Sequence, residues 1–212
     1  MSIRTTHKNQ EHKDPGEFED VPGEEKLRPR ERIVSAACEL FRTHGIRGIG
    51  VDAIADAAGT NKMTLYRHFG SKDDLICEVL RSTSRKAARV WDELEASYPD
   101  NPKAQLRGWI AARAKCLECE PYGCDLANAA IELKEQGHPA HSVIEEFKLQ
   151  QRQRLADLCS RAGMRQADLL ADMLSMLLEG ARVSRQAMGG EGPSTQFAKA
   201  CEATISSLEH QH

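Results

Sequence analysis

Apolar residues recur at helical spacing from Pro29 almost to the end of the chain, and no segment alternates apolar and polar residues over a strand's length. Pro29 suits the first turn of a helix; Ile33, Ala36, Ala37, Leu40 and Phe41 follow on one face until Gly45 stops it. A short second helix is predicted over residues 51–59. Asn61 is placed to cap a third, and Ser71 a fourth, with Asp73 and Asp74 in the first turn of the latter. Further helices are predicted over residues 75–96 (continuing the fourth), 103–120, 125–135, 142–162, 166–188 and 194–208, with breaks at the Pro- and Gly-containing segments between them. The expected fold is all-α: residues 1–28 as a disordered arm, 29–75 as a three-helix head, and 76–212 as a second helical body. The arm assignment rests on scarce apolar residues among mixed charges and Pro15, Gly16, Pro22 and Gly23, a composition that cannot offset the entropy of ordering.

The two short helices of the head carry the strongest local signal. Helices joined by a tight turn cross steeply, so the residue at their crossing must be small, and Ala55 is. The turn needs a residue at ease with positive φ, and Gly59 follows four residues later. The second helix must send an apolar anchor back into the core, and Leu65 does so, supported by Ile54 and Phe69. Lys62, Met63, Thr64, Tyr66 and Arg67 then surround the opposite face, which offers hydrogen-bond donors, hydroxyls and an apolar methyl group. In a helix-turn-helix such a face enters the DNA major groove, where base edges carry a readable donor and acceptor pattern. Lys72, at the start of the fourth helix, lies near free N–H groups in a position suited to phosphate. A three-helix bundle without DNA function, with Tyr66 and His68 as packing residues, is the alternative.

Charge and composition alter this picture little. The chain carries 29 Lys and Arg against 32 Asp and Glu, so any DNA-binding face must arise from spatial sorting and not from a basic chain. Within residues 29–75 seven basic residues stand against six acidic ones, and the 1–28 arm has a net charge of about −2, which argues against strong phosphate binding there. Seven cysteines without a secretory leader, and no apolar run of membrane-spanning length, imply a cytoplasmic protein with no membrane partner.

The segment Gly59-Thr-Asn-Lys-Met-Thr-Leu-Tyr-Arg-His-Phe-Gly-Ser-Lys-Asp-Asp-Leu75 resembles the TetR family of bacterial transcriptional regulators, in which a Leu-Tyr-x-His-Phe core precedes a Ser-Lys-x-x-Leu helix start. The likeness runs from about Arg32 to Leu80. It implies DNA contacts from Lys62, Met63, Thr64, Tyr66, Arg67, His68 and Lys72, with His68 equally compatible with packing beside Phe69. One departure concerns the residues before the second helix, where the family often has Thr or Ser. This chain has Ile49 and Gly50, so a phosphate contact there survives only through a Gly50 backbone N–H. The resemblance further implies a homodimer on double-stranded operator DNA and a helical ligand-binding and dimerisation domain after the head.

For that domain the residues say less. Leu155, Leu158 and Cys159 on one predicted helix, and Leu169, Leu170, Met173, Leu174, Leu177 and Leu178 on the next, form wide apolar faces. The surplus fits a four-helix interface with a second copy, against the alternative of packing wholly within the domain. The stretch Gly123-Cys124 to His138-Pro139 resembles a segment of one TetR subgroup. Asn128 and Glu132, four residues apart amid Ala and Ile, are candidates to orient a small-molecule effector, or are satisfied structurally. Trp91, Trp109 and Cys124 complete the candidate ligand-binding set. With few aromatic residues to stack on, aliphatic or small polar effectors fit better than large planar ones.

Cys116, Cys119 and Cys124, with His138 and His141, have types and spacings that soft-metal binding or a thiol switch would use, but a single CxxC within a predicted helix is a weak signal beside ordinary burial. No metal or cofactor is therefore assigned. No nucleophile–base pair or phosphate loop supports an enzyme built on Cys124 or Glu132, so no catalytic residue is expected. A helical module that binds protein is the remaining rival. The expected activity is ligand-gated repression, with activation as the alternative: an effector between helices would tilt the fourth helix, which supports the reader at its start and faces the body near Val90 and Trp91.

Overall fold

A computed structural model describes residues 27–119 and 122–209, and every regular element among them is helical. In chain order they are α1 (Pro29–His44), α2 (Val51–Ala57), α3 (Lys62–Phe69), α4 (Lys72–Ser97), α5 (Pro102–Cys119), α6 (Asp125–Glu132), α7 (Ala140–Arg161), α8 (Ala167–Met188) and α9 (Phe197–Glu209). Two short 3-10 turns, Gly189–Glu191 and Pro193–Gln196, lead into α9. All of the expected 1–28 arm except Leu27 and Arg28 lies outside the described residues. None of the helices is long and apolar enough to cross a membrane.

The local signals act as their chemistry requires. Asn61 Oδ1 accepts the Thr64 amide at 2.9 Å, and Ser71 Oγ accepts the Asp74 amide at 3.0 Å, so each cap satisfies one orphan donor of its helix. Pro29 occupies the first turn of α1, and Gly45 ends that helix at φ 78°. Two boundaries differ from the periodic reading by three residues, the others by two or fewer. α6 stops at Glu132, short of residue 135, because Leu133 leaves helical geometry to bury its side chain, and its carbonyl accepts His141 Nε2 at 2.6 Å. The last helix begins at Phe197 and not at 194, since Pro193–Gln196 closes as a 3-10 turn.

Two apolar cores result, and they do not follow chain order. The first gathers Ile33 and Phe41 from α1, Ile54 from α2, Leu65 and Phe69 from α3, and Leu75, Ile76, Cys77, Val79 and Leu80 of α4. Into it also pack Leu126 and Ala129 of α6, with Val143 and Ile144 from the start of α7. The second core joins Leu94 at the end of α4 to Trp109 and Ile110 of α5, the later part of α7, and α8 and α9. At 1.5 Å per residue the 26 residues of α4 span about 39 Å, so one rigid element enters both cores.

The apolar surplus of the last long helices is divided between inside and outside. Leu155, Leu158, Cys159, Leu170, Leu174 and Leu178 are buried within the chain. Leu169, Met176 and Val183 stand exposed along α8, seven residues apart and therefore on one side of it.

Leu65 has no exposed surface, whereas Met63 on the same helix is 78% exposed. Leu65→Ala is expected to lower the unfolding free energy by about 2–5 kcal/mol in urea titration, and Met63→Ala by no more than about 0.5 kcal/mol.

Candidate nucleic-acid interface

The head brings together the residues that a groove-reading helix needs. Ala55 sits buried where α2 meets α3, and the chain turns through Gly59 at φ 60°, with the Thr60 amide donating to Ala55 O at 2.9 Å. This is one of the positions where glycine is demanded, since a side chain in the left-handed region is strained. Leu65 and Phe69, four residues apart, are buried against α1 and α4, which rotates the remaining face of α3 outward.

On that outward face Lys62, Met63, Tyr66, Arg67 and His68 are exposed and Thr64 is half-buried. A thioether this exposed gains nothing from the fold, but it suits apolar contact with a thymine methyl. Lys62 Nζ is held 3.1 Å from Asp52, a pair open to water on both sides and so readily exchanged for phosphate. His68 tilts against Phe69 with ring centroids 6.2 Å apart, consistent with either of its expected roles. Gly50 caps α2 in open space, where no atom would meet an added Cβ, so its backbone is accessible.

Lys72 is the exception. Its Nζ donates to Ile46 O at 2.7 Å and lies 6.0 Å from the Phe41 ring centre, and burial pushes its pKa down. In this conformation the amine braces the α1–α2 loop and does not project to a phosphate, because the loop carbonyl offers a partner on the helix's inner side.

The second candidate set divides. Trp91, Trp109 and Cys124 line a cavity of about 680 Å³ between α4, α5, α6, α7 and α8. The two indole rings lie 6.5 Å apart, and Trp91 Nε1 donates to Gln151 Oε1 at 2.9 Å. Asn128 and Glu132 do not line this cavity. Ala127, Ala130 and Ile131 of α6 do, and the rotation of about 100° per residue carries Asn128 and Glu132 off that lining. Asn128 Nδ2 donates to Tyr122 O at 2.7 Å. Glu132 Oε2 accepts the Ile46 amide at 2.7 Å and the Arg47 amide at 3.3 Å. Asn128 and Glu132 instead border a narrow crevice of about 20 Å³ at the seam between α6 and the head.

That seam is a structural feature that periodicity alone does not reveal. Arg47 Nε donates back to Glu132 O at 2.7 Å, and Gly45, at φ 78°, lets the carboxylate come so close that an added Cβ would meet it at 3.0 Å. At the other end of α6, Asp125 takes a bidentate pair from Arg42 at 3.1 and 3.2 Å and a hydrogen bond from Thr83 Oγ1 at 3.2 Å. One signal was present in the sequence: two carboxylates seven residues apart on a short helix that is apolar apart from Asn128.

The two histidines of the candidate metal set each face a separate partner. His141 serves Leu133 O, and His138 Nε2 faces Asp73 at 3.5 Å. Among the described residues no group of three or more His, Cys, Asp or Glu converges as a metal site would. Burial pushes the thiols of Cys159 and Cys201 up to about 12, away from thiolate chemistry.

A short helix anchored from behind, showing its polar side, on an all-helical body defines a helix-turn-helix transcriptional regulator that binds DNA. The family model for bacterial regulatory proteins, tetR family, matches residues 33–79. The transcriptional repressor KstR2 of Mycobacterium tuberculosis is 30% identical over 155 residues, covering 68% of this chain and 73% of the relative. The likeness to the regulator AcrR of Shigella flexneri, also 30% identical, is confined to 84 residues, 40% of this chain and 39% of that protein. Among solved structures, SCO4454 of Streptomyces coelicolor, a TetR-family regulator, superposes with a TM-score of 0.79 at 26% identity, over 86% of this chain and 96% of the other. The chain belongs to the TetR family. Regulators of this family bind operator DNA, act as dimers and are not enzymes.

Removing the Glu132 carboxylate leaves two loop amides without their acceptor. Glu132→Ala is expected to raise hydrogen exchange at the Ile46 and Arg47 amides by about tenfold or more, with little change in α8, as read by exchange NMR.

Proposed function

We propose that this chain is a cytoplasmic transcriptional repressor that holds its operator as a homodimer and is released by a small-molecule effector. Residues 29–75 form the DNA-reading head, and residues 76–212 the effector-binding and dimerisation body. The observation that carries the reading is the outward face of α3: Lys62, Met63, Tyr66, Arg67 and His68 exposed over a fully buried Leu65. KstR2 being a repressor favours repression over activation for this chain.

Two readers must sit one helical turn of DNA apart, so the copies have to pair rigidly. The exposed α8 stripe of Leu169, Met176 and Val183, where Gly180 leaves open space, supports pairing through α8. Release then follows from shared elements. α4 begins under the reader and passes the cavity at Val90 and Trp91. α6 lines the cavity on one side and binds the head through Asp125 and Glu132 on the other. An effector that wedges these helices apart changes the spacing of the two heads. Coupling of about 1–3 kcal/mol suffices for 5- to 150-fold weaker DNA binding.

Duplexes selected from a random library by the full-length protein supply the probe. Lys62→Ala and Tyr66→Ala are expected to raise Kd on the selected duplex about 5- to 100-fold in fluorescence anisotropy, with unchanged circular dichroism. Wild-type affinity in both variants would remove the reading. Met176→Glu is expected to shift sedimentation from dimer to monomer and to weaken DNA binding with it; a dimer that persists unchanged would exclude the α8 stripe as the interface.

A further inference from the structure

The wall of the 680 Å³ cavity is charged in the opposite sense to the chain as a whole. The chain's formal charge is −3. Yet Arg42, Lys86, Arg113, Lys148, Arg152 and Arg182 line the cavity against only two carboxylates, Asp125 and Glu179. Both carboxylates are already engaged: Asp125 by Arg42, and Glu179 by Lys148 at 2.6 Å and Arg182 at 3.1 Å. Arg152 has carboxylate partners outside the lining, Asp168 and Asp172 at 3.2 and 2.7 Å. Even with Arg152 and Arg113 both set aside, four cations face two anions. Arg113 is only 7% exposed, its guanidinium 5.9 Å from the Trp109 ring centre, so its charge acts from within a desolvated wall.

The rest of the lining is apolar and large: Trp91, Trp109, Ile144, Phe147, Leu155 and Leu178. A cavity of this volume exceeds what a bare inorganic ion needs and falls within the range that drug-sized ligands occupy. Cations in one lining together with an indole pair and aliphatic side chains complement a molecule that is anionic at one end and apolar along its body.

We infer that the effector is an amphipathic organic acid, its acidic group held by the cavity's excess cations and its hydrocarbon part by the Trp91–Trp109 wall. This rests on the effector-release reading and deepens it by naming the ligand's charge. The acid also has a route to the head. Arg42 lines the cavity while it clamps Asp125 of α6, so an incoming anion competes with Asp125 for that guanidinium and loosens α6 from α1.

The only two tryptophans of the chain, Trp91 and Trp109, line this cavity, so intrinsic fluorescence reports its occupancy directly. Full-length dimer is titrated with decanoate, decanol and decyltrimethylammonium, which share a chain length and differ in charge. Decanoate is expected to alter the fluorescence with a Kd at least about tenfold below that of decanol, and the ammonium to bind weakest. Lys86→Glu, at an exposed position, and Arg113→Met are expected to weaken decanoate about tenfold or more and leave decanol unchanged. No response to decanoate, or decanol or the ammonium binding as tightly, overturns the inference, as does equal weakening of acid and alcohol in Lys86→Glu. Affinity for the selected duplex is measured in the same samples. Decanoate bound without loss of DNA affinity supports the anion site and removes effector release. Release by decanol but not by decanoate does the reverse.

Discussion

An eight-residue helix has no stability of its own in water, because nucleation costs more than so few hydrogen bonds return. α3 therefore exists only as long as Leu65 and Phe69 are buried beneath it. Asn61 organises its start and Gly59 sets the turn that aims it, but the anchor decides that it persists. The same burial orients the opposite face. With Leu65 fixed inward, helical geometry leaves Lys62, Met63, Tyr66 and Arg67 no direction but outward. Stability and readout are thus two consequences of one contact, which is why a duplex can be read by side chains the fold itself hardly uses.

A reader fixed so firmly to its own core is hard to regulate from a distance unless something else enters that core. α6 does. Its apolar residues Leu126 and Ala129 belong to the head's cluster, its carboxylates hold Arg42 and the α1–α2 loop, and Ala127, Ala130 and Ile131 border the cavity. α4 makes the second connection, as a long rod shared by both cores. In the proposed release mechanism, strain introduced in the cavity reaches the head by two routes, one through packing and one through hydrogen-bonded charge. The polar route is the more sensitive of the two, since a carboxylate or guanidinium offered a competing ion changes partner without any repacking of the core.

The elements of the head were legible because their determinants are local. Pro29, Gly45, Asn61, Gly59 and Ser71 act through bonds or φ values within a few residues, so order along the chain is enough to place them. Leu65 was legible as an anchor because a short amphipathic helix has only one apolar side. Lys72 was not legible as an inward brace: its target, the Ile46 carbonyl, lies 26 residues earlier, and position at a helix start favours phosphate just as well. Asn128 and Glu132 share a face by their spacing, but what Glu132 meets is decided by the packing of α6 against a loop 85 residues away. Arg113 shows a missed opportunity, since a cation in register with the buried stripe of Leu106, Trp109, Ile110 and Leu117 is visible in the sequence.

By itself the sequence determined an all-helical fold, the turns at Gly45 and Gly59 in the head, and the polar face proposed to read DNA, because each depends on side chains within one or two helical turns of one another. The tertiary structure alone decided that α6 belongs to the head's core, that lysines and arginines outnumber carboxylates in the cavity's lining, and that Leu169, Met176 and Val183 are left bare on α8. Those properties are sums over residues far apart in the chain, and no local period records them.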